Sequence, residues 1–177
     1  MTIEPVHIVA YDPSWPTLFA QERNLILQTV GQWIEEVEHV GNTAIPGLDA
    51  KPVVDLVVGL KDKSDALSLV EPLRSLGYSY WAEGDKAHHH LFVRFVDLEM
   101  SARTHNLHVV EAGGQYWEER LLFRDYLRKH PETAKEYARL KHRLATRHRD
   151  DREAHSPLGA DLRGSQERQG PADKAHS

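Results

Sequence analysis

The stretch Val37-Glu38-His39-Val40-Gly41-Asn42-Thr43-Ala44-Ile45-Pro46-Gly47-Leu48-Asp49-Ala50-Lys51-Pro52-Val53-Val54-Asp55-Leu56 decides the fold. It reads as a short strand (Val37–Val40), a structured loop rich in Gly, Pro and small polar residues (Gly41–Pro52), and the start of a second strand. That second strand, Val53–Leu60, is almost continuously apolar, which suits a strand covered on both faces. Asp55 is its one ionisable residue. A carboxylate in such a run must be paired, metal-bound or neutralised. Asp55 is therefore a candidate metal or substrate ligand, with a structural pairing to Lys51 as the alternative. Gly41-Asn42-Thr43 can present backbone N–H groups to a phosphate or carboxylate, or it is an ordinary capped turn.

Working outward, Val6–Ala10 reads as a strand, and Tyr11-Asp12-Pro13-Ser14-Trp15-Pro16 as a turn in which Asp12 caps a helix with Pro13 at its first position. Helical spacing of Leu18, Phe19, Ile26 and Val30 carries that helix to about Val30. Asp62 or Ser64 opens a second helix reaching Leu76, with Gly77 as its stop. Strands follow at Tyr78–Ala82, His89–Val96 and Arg103–Glu111. Two helices then run from Tyr116 to about His130 and from Pro131 to about Arg147. This order gives an α/β (α+β) layered domain with a helical C-terminal part. The domain is taken as residues 1–147. Residues 148–177 contain no Val, Ile or aromatic side chain, and read as a disordered tail.

Composition narrows the function classes. A net charge of −5 argues against a dedicated nucleic-acid binder, which needs a basic footprint. With no cysteine, disulfides, thiolate metal sites and a cysteine nucleophile are excluded. Met1–Ala10 lacks the features of a signal peptide, and no apolar run approaches the roughly 20 residues that span a bilayer. A cytoplasmic protein without a membrane partner is the expectation; the oligomeric state is not legible.

The quoted stretch resembles the signature of the GrpB family. Tyr11–Pro16 is similar to that family's opening, and Arg103-Thr104-His105-Asn106-Leu107-His108-Val109-Val110 to its second signature. Phe123–Arg128 and Tyr137–Lys141 are similar to its helical end. The resemblance covers about Val6 to Arg152. It implies a nucleotidyltransferase-like mixed sheet flanked by helices. In that superfamily a Gly-Ser pair at a helix N-terminus precedes a strand with two acids one position apart, and a later strand often adds a third. The acids hold divalent metal, and the metal a nucleoside triphosphate. Here Gly41-Asn42 stands at the Gly-Ser pair and Asp55 at the first acid, but the second acid is replaced by Val57. Two-metal chemistry wants several converging carboxylates. One Asp suits a single Mg²⁺ that keeps most of its waters.

The candidate site comprises Asp55 and His108 as catalytic residues. His39, Gly41, Asn42, Thr43, Lys51, Arg103 and His105 are candidate substrate ligands, and Asp55 with Glu99 candidate metal ligands, Glu99 being preferred to Asp97 as the later acid. Strand alternation puts Arg103, His105 and Leu107 on one face and Thr104, Asn106 and His108 on the other, so His105 and His108 do not share a cleft unless a bulge intervenes. His88-His89-His90 reads as a polar strand edge, and Arg124, Asp125, Arg139 and Lys141 mainly as solvated helix faces.

Two functions follow. One is metal-dependent nucleotidyl transfer to a small-molecule acceptor. The other is a non-catalytic module binding a nucleotide or a coenzyme-A-related ligand, since domains of this type also occur fused to dephospho-coenzyme A kinase. A third reading makes the histidines general acid–base catalysts on a phosphoester.

Overall fold

The structure is a computed structural model describing residues 7–82, 89–97 and 102–147, with the side chains of 145–147 excepted. The described residues fall into two units, His7–Glu136 and one represented by Tyr137–Arg147. The first holds α1 (Trp15–Val30), β1 (Ile34–Val40), β2 (Val54–Leu60), α2 (Val70–Ser75), β3 (Tyr78–Tyr80), β4 (His89–Phe95), β5 (Arg103–Glu111) and α3 (Gln115–Lys129). It also holds the start of α4 (Pro131–Arg147). In the second unit the described residues continue α4, where the Lys141 ammonium lies 5.8 Å over the Tyr137 ring.

The five strands form one mixed sheet in the order β1-β2-β5-β4-β3. Among the described residues only the β2–β5 pair is parallel; β1–β2, β4–β5 and β3–β4 are antiparallel. The expected mixed α/β sheet is thus observed. The reading of Val53–Leu60 as doubly covered also holds. Leu56, Val58 and Leu60 join Trp15, Ile26, Val30, Leu69 and Leu73 in the main core. Val57 points the other way, into a smaller cluster with Val40, Val110 and Trp117.

Several local boundaries differ from expectation. Of Val6–Ala10, the described residues form a single bridge, Val9 to Ala50, rather than a strand. α1 begins at Trp15 after Ser14, so Pro16 rather than Pro13 occupies the first turn. Asp12 instead closes the preceding turn, its Oδ1 accepting the Ser14 N–H at 2.8 Å. Trp15 is buried and meets Tyr11 edge-on at 5.3 Å, which anchors the helix start. Asp62 does cap the second helical segment, accepting from the Ser64 N–H. That segment is 3-10 over Lys63–Leu69 and becomes α-helical only at Val70. Pro72 has no N–H to give an α-helical turn reaching back to Ser68, so the α-helix restarts where Pro72 falls in its first turn. β1 starts at Ile34, earlier than Val37, with a register irregularity between Ile34 and Glu36.

Candidate functional site

Register fixes which side chains can meet. Val40 pairs with Asp55, Asp55 with Asn106, and Val57 with His108. Directly paired residues share a face. Asp55, Asn106 and His108 therefore lie on the α3 side of the sheet. His39 pairs with Leu56 and Val54 with His105, which puts both histidines on the α1 side.

Asp55 is the centre of the α3 side. Its side chain is 28% exposed, and its Oδ1 lies 3.7 Å from His108 Nε2. The Asn106 amide donates to the same oxygen at 2.9 Å. That bond fixes the amide orientation, because a flip would set oxygen against carboxylate. It leaves Asn106 Oδ1 buried with no hydrogen-bond partner among the described residues. Burial alone would raise the Asp55 pKa, but His108, Asn106 and Arg120 outweigh it and hold the carboxyl below its ordinary value. Asp55 is an anion at neutral pH.

Gly41 is required beside it. Its φ of +73° and ψ of −172° lie in a region that is essentially open to glycine alone. A Cβ at Gly41 would stand 2.6 Å from Asp55 Oδ2. The turn continues as a 3-10 segment, Asn42–Ala44. Thr43 is buried and its hydroxyl bonds His39 Nε2 at 2.9 Å, while the His39 ring stacks on Phe19 at 4.8 Å. His39 and Thr43 thus support the turn from the α1 side. Asn42 accepts from the Ile45 N–H at 3.1 Å, and Lys51 lies further along the same loop.

Three residues outside the sequence-based set complete this face. His89 Nε2 lies 2.8 Å from His108 Nδ1, and the Tyr116 hydroxyl 3.2 Å from the same nitrogen. The His89 ring stacks on Tyr116 at 4.5 Å, and the Arg120 guanidinium covers Tyr116 at 4.7 Å. Burial raises the Tyr116 pKa, so its hydroxyl stays protonated. The histidine run gave no signal for His89, because its partner lies 19 positions away across the β4–β5 pair. Tyr116 and Arg120 sit on α3, whose approach to the sheet is set by tertiary packing.

Arg124 corrects an expectation. It is not a solvated helix residue but 8% exposed, bound to Glu38, to Asp125 at 2.9 Å and to the His39 carbonyl at 3.0 Å. Arg128 donates to the Ala44 carbonyl at 2.9 Å. α3 is thus tied to β1 and to the turn by two arginines.

The other face holds a separate network. Glu22 accepts from the Tyr78 hydroxyl and from Arg94, both at 2.9 Å, and Arg94 reaches His105 Nδ1 at 2.9 Å. Arg103 is not part of that network: the register shifts between Arg94 and Phe95, Arg103 pairs with Phe95 on the face opposite to Arg94 and His105, and its guanidinium lies over Trp81 at 4.9 Å and over Phe95 at 5.9 Å. His105, grouped above with the substrate ligands, therefore does not join Asp55, and the expected sharing of one face by Arg103 and His105 is broken by the irregularity at Arg94/Phe95. The strand alternation that separated His105 from His108 is observed.

Burial pushes both His39 and His105 down to about 4. Both rings are neutral in the folded protein above that pH, while the unfolded chain takes up protons below about 6.5. Stability contributed by the neutral forms is complete above pH 6.5 and is lost as pH falls toward 4, on the order of 3 kcal/mol for each ring at the bottom of the window. Urea midpoints at pH 7, 6 and 5 should fall in sequence, and less steeply in a His39→Gln/His105→Gln variant. A flat wild-type profile would contradict this.

For divalent metal, the described residues do not fit a two-metal centre. Among them, no group of three or more His, Asp or Glu residues is placed to hold an ion. Val57, at the second acidic position, is fully buried in the small apolar cluster with Trp117. Glu38, on the same face, is engaged by Arg124. Glu99 lies outside the described residues. No helix among the described residues is long and apolar enough to cross a membrane.

Comparison with known proteins agrees with this architecture. The family model described as "GrpB protein" matches residues 5–157. A UPF0157 protein of Pseudomonas aeruginosa is 40% identical over 151 residues, covering 85% of this chain and 62% of that protein. The chain thus spans less than two thirds of that relative. The glutamate-rich protein GrpB of Alkalihalophilus pseudofirmus is 35% identical over 152 residues, 85% of this chain and 87% of its own length. A protein named dephospho-CoA kinase from Mycolicibacterium paratuberculosis is 38% identical over 77 residues, 42% of this chain and 19% of that protein. The crystal structure of conserved protein GrpB from Enterococcus faecalis superposes with a TM-score of 0.78 at 27% identity, covering 91% of this chain and 96% of that one.

Proposed function

This chain belongs to the GrpB family, and from that premise we propose that it binds a small nucleotide-type ligand at Asp55 without two-metal catalysis. One observation carries the reading. The strand position that would bear the second acid is Val57, sealed beneath Trp117, while Asp55 stays ionised and part-exposed beside the Gly41 turn. A lone, part-exposed carboxylate accepts hydrogen bonds from ligand hydroxyl or amino groups, and the Asn106 amide holds its Oδ1 in place. His108 adjoins Asp55 and is itself backed by His89 and Tyr116. The relative named dephospho-CoA kinase supports coenzyme A precursors as ligands to screen beside nucleotides.

Calorimetric titration of ATP and dephospho-coenzyme A in EDTA tests this. Binding that persists in EDTA and weakens at least tenfold in Asp55→Asn is expected. If neither ligand binds at millimolar concentration, or if Asp55→Asn binds unchanged, the reading fails.

A second reading is nucleotidyl transfer to a small-molecule acceptor with one Mg²⁺. The ionised state of Asp55 beside an oxygen of Asn106 favours it. Asp55 would hold the ion, which would supply positive charge to the ligand's phosphates. Mg²⁺-dependent release of pyrophosphate, lost in Asp55→Asn, would replace the first reading with this one.

A further inference from the structure

Two hydrogen-bonding atoms on the α3 side of the sheet are not used by the protein itself. Asp55 Oδ1 takes the Asn106 amide, but Oδ2, which lies beside Gly41, meets no donor among the described residues. His108 makes both of its close contacts through Nδ1. Its Nε2 stands 3.7 Å from Asp55 Oδ1, too far for a direct hydrogen bond. Neither Oδ2 nor Nε2 belongs to the buried polar atoms left without a partner, so both reach solvent.

The surroundings of Nδ1 decide which nitrogen of His108 carries hydrogen. The Tyr116 hydroxyl stays protonated and lies 3.2 Å from Nδ1, its only acceptor among the described residues. Arg120, which covers the Tyr116 ring, has only donors to offer the phenol oxygen. Tyr116 therefore donates to His108 Nδ1. His89 Nε2, at 2.8 Å, adds a second contact to the same nitrogen. The bond made by one ring nitrogen sets the state of the other. With Nδ1 accepting, the hydrogen sits on Nε2. There it faces the Asp55 anion, where a bare lone pair would be repelled.

We propose that Asp55 Oδ2 and His108 Nε2–H form a fixed acceptor–donor pair that reads the edge of an amino-substituted nitrogen heterocycle, with Tyr116 positioning the His108 hydrogen. Adenine has such an edge, an N6 amino donor beside a ring-nitrogen acceptor. The amino group donates to Asp55, and the ring nitrogen accepts from His108. Neighbouring atoms of one rigid edge are then held by two hydrogen bonds, and the bond to the carboxylate is charge-assisted. The inference rests on the reading of Asp55 as the ligand's hydrogen-bond acceptor and adds which part of the ligand Asp55 meets. ATP and dephospho-coenzyme A share this base. A primary carboxamide offers the same donor and acceptor, and the test separates the two sources.

Calorimetry in EDTA compares ATP with the triphosphate of unsubstituted purine riboside, which lacks only the amino group. Wild type should bind ATP about tenfold more tightly or better, because the analogue leaves the Asp55 carboxylate unpaired. In Asp55→Asn the two affinities should come to about parity, since no carboxylate remains to pair. His108→Ala should weaken ATP about tenfold and keep the preference for the amino group. Tyr116→Phe retains the ring against His89 and should weaken ATP about threefold. Long-range ¹H–¹⁵N correlation spectra of the neutral ring should show His108 with hydrogen on Nε2 in wild type, and a larger share of the other tautomer in Tyr116→Phe. A merely structural tyrosine would not move that spectrum. Melting curves establish that each variant is folded. Equal binding of the two triphosphates by wild type, or hydrogen on His108 Nδ1, overturns the proposal. Nicotinamide mononucleotide binding more tightly than ATP overturns the heterocycle in favour of a carboxamide. If Asp55→Asn weakens ATP while wild type does not distinguish the triphosphates, the reading of Asp55 stands and this inference fails. If ATP does not bind at all, both fail.

Discussion

Glu22→Ala should destabilise the protein by about 3 kcal/mol, more than any other single side-chain truncation considered. Glu22 is 3% exposed and accepts from both the Tyr78 hydroxyl and Arg94 at 2.9 Å. Removing one member of a buried ion pair typically costs about 3–5 kcal/mol, because the partner is left charged and unpaired. The Arg94 side chain is 25% exposed and recovers some hydration, which puts the expectation at the lower end. Tyr78 has no such recourse, since it is almost fully buried. Glu22→Gln keeps an acceptor for both donors and should cost about 1–2 kcal/mol. Urea denaturation of the two variants beside wild type measures the difference. A Glu22→Ala loss below about 1 kcal/mol would mean that the cluster contributes nothing net.

Gly41→Ala should disable the site while leaving the core folded. An alanine must either hold a glycine-only backbone conformation, at a cost of about 1–3 kcal/mol, or relax the turn. In the first case its Cβ drives the Asp55 carboxylate from its place, since the two would approach to 2.6 Å. In the second the turn leaves the Ala44 carbonyl out of register with Arg128. Both outcomes predict a loss of ATP affinity comparable to that of Asp55→Asn, with a stability loss near 2 kcal/mol. Titration and denaturation on the same preparation check both parts. ATP affinity equal to wild type would show that the turn and the carboxylate are not one unit.

The strands and their faces were largely legible in the sequence, for a physical reason. The Val53–Leu60 run had only one stable home, a strand covered on both sides, and alternation along Arg103–Glu111 separated His105 from His108 before any coordinates. Helix starts were less legible, because Pro13 and Pro16 both suit a first turn and only the burial of Trp15 chooses between them. The resemblance gave Gly41 and Asp55 as neighbours, and the contact at Gly41 gives the reason. His89, Tyr116 and Arg120 were not legible, because nothing local in a strand edge or an amphipathic helix says which distant residue it will meet. Arg124 was misread on the same account. Its spacing on α3 is that of a surface residue, and only the approach of β1 buries it.

The parallel pairing of β2 with β5 carries a consequence for how this molecule comes into being. Asp55 and Asn106 stand 51 positions apart and meet only after β5 has slotted between β2 and β4. Closing so long a loop costs entropy before any contact rewards it, which slows assembly. A nascent chain that has not yet reached Arg103 holds its most apolar strand with an open edge, the state most prone to stray association. Completion of the Asp55–Asn106 contact and cover for the open β2 edge therefore arrive together, with β5, the last in chain order of the five strands described.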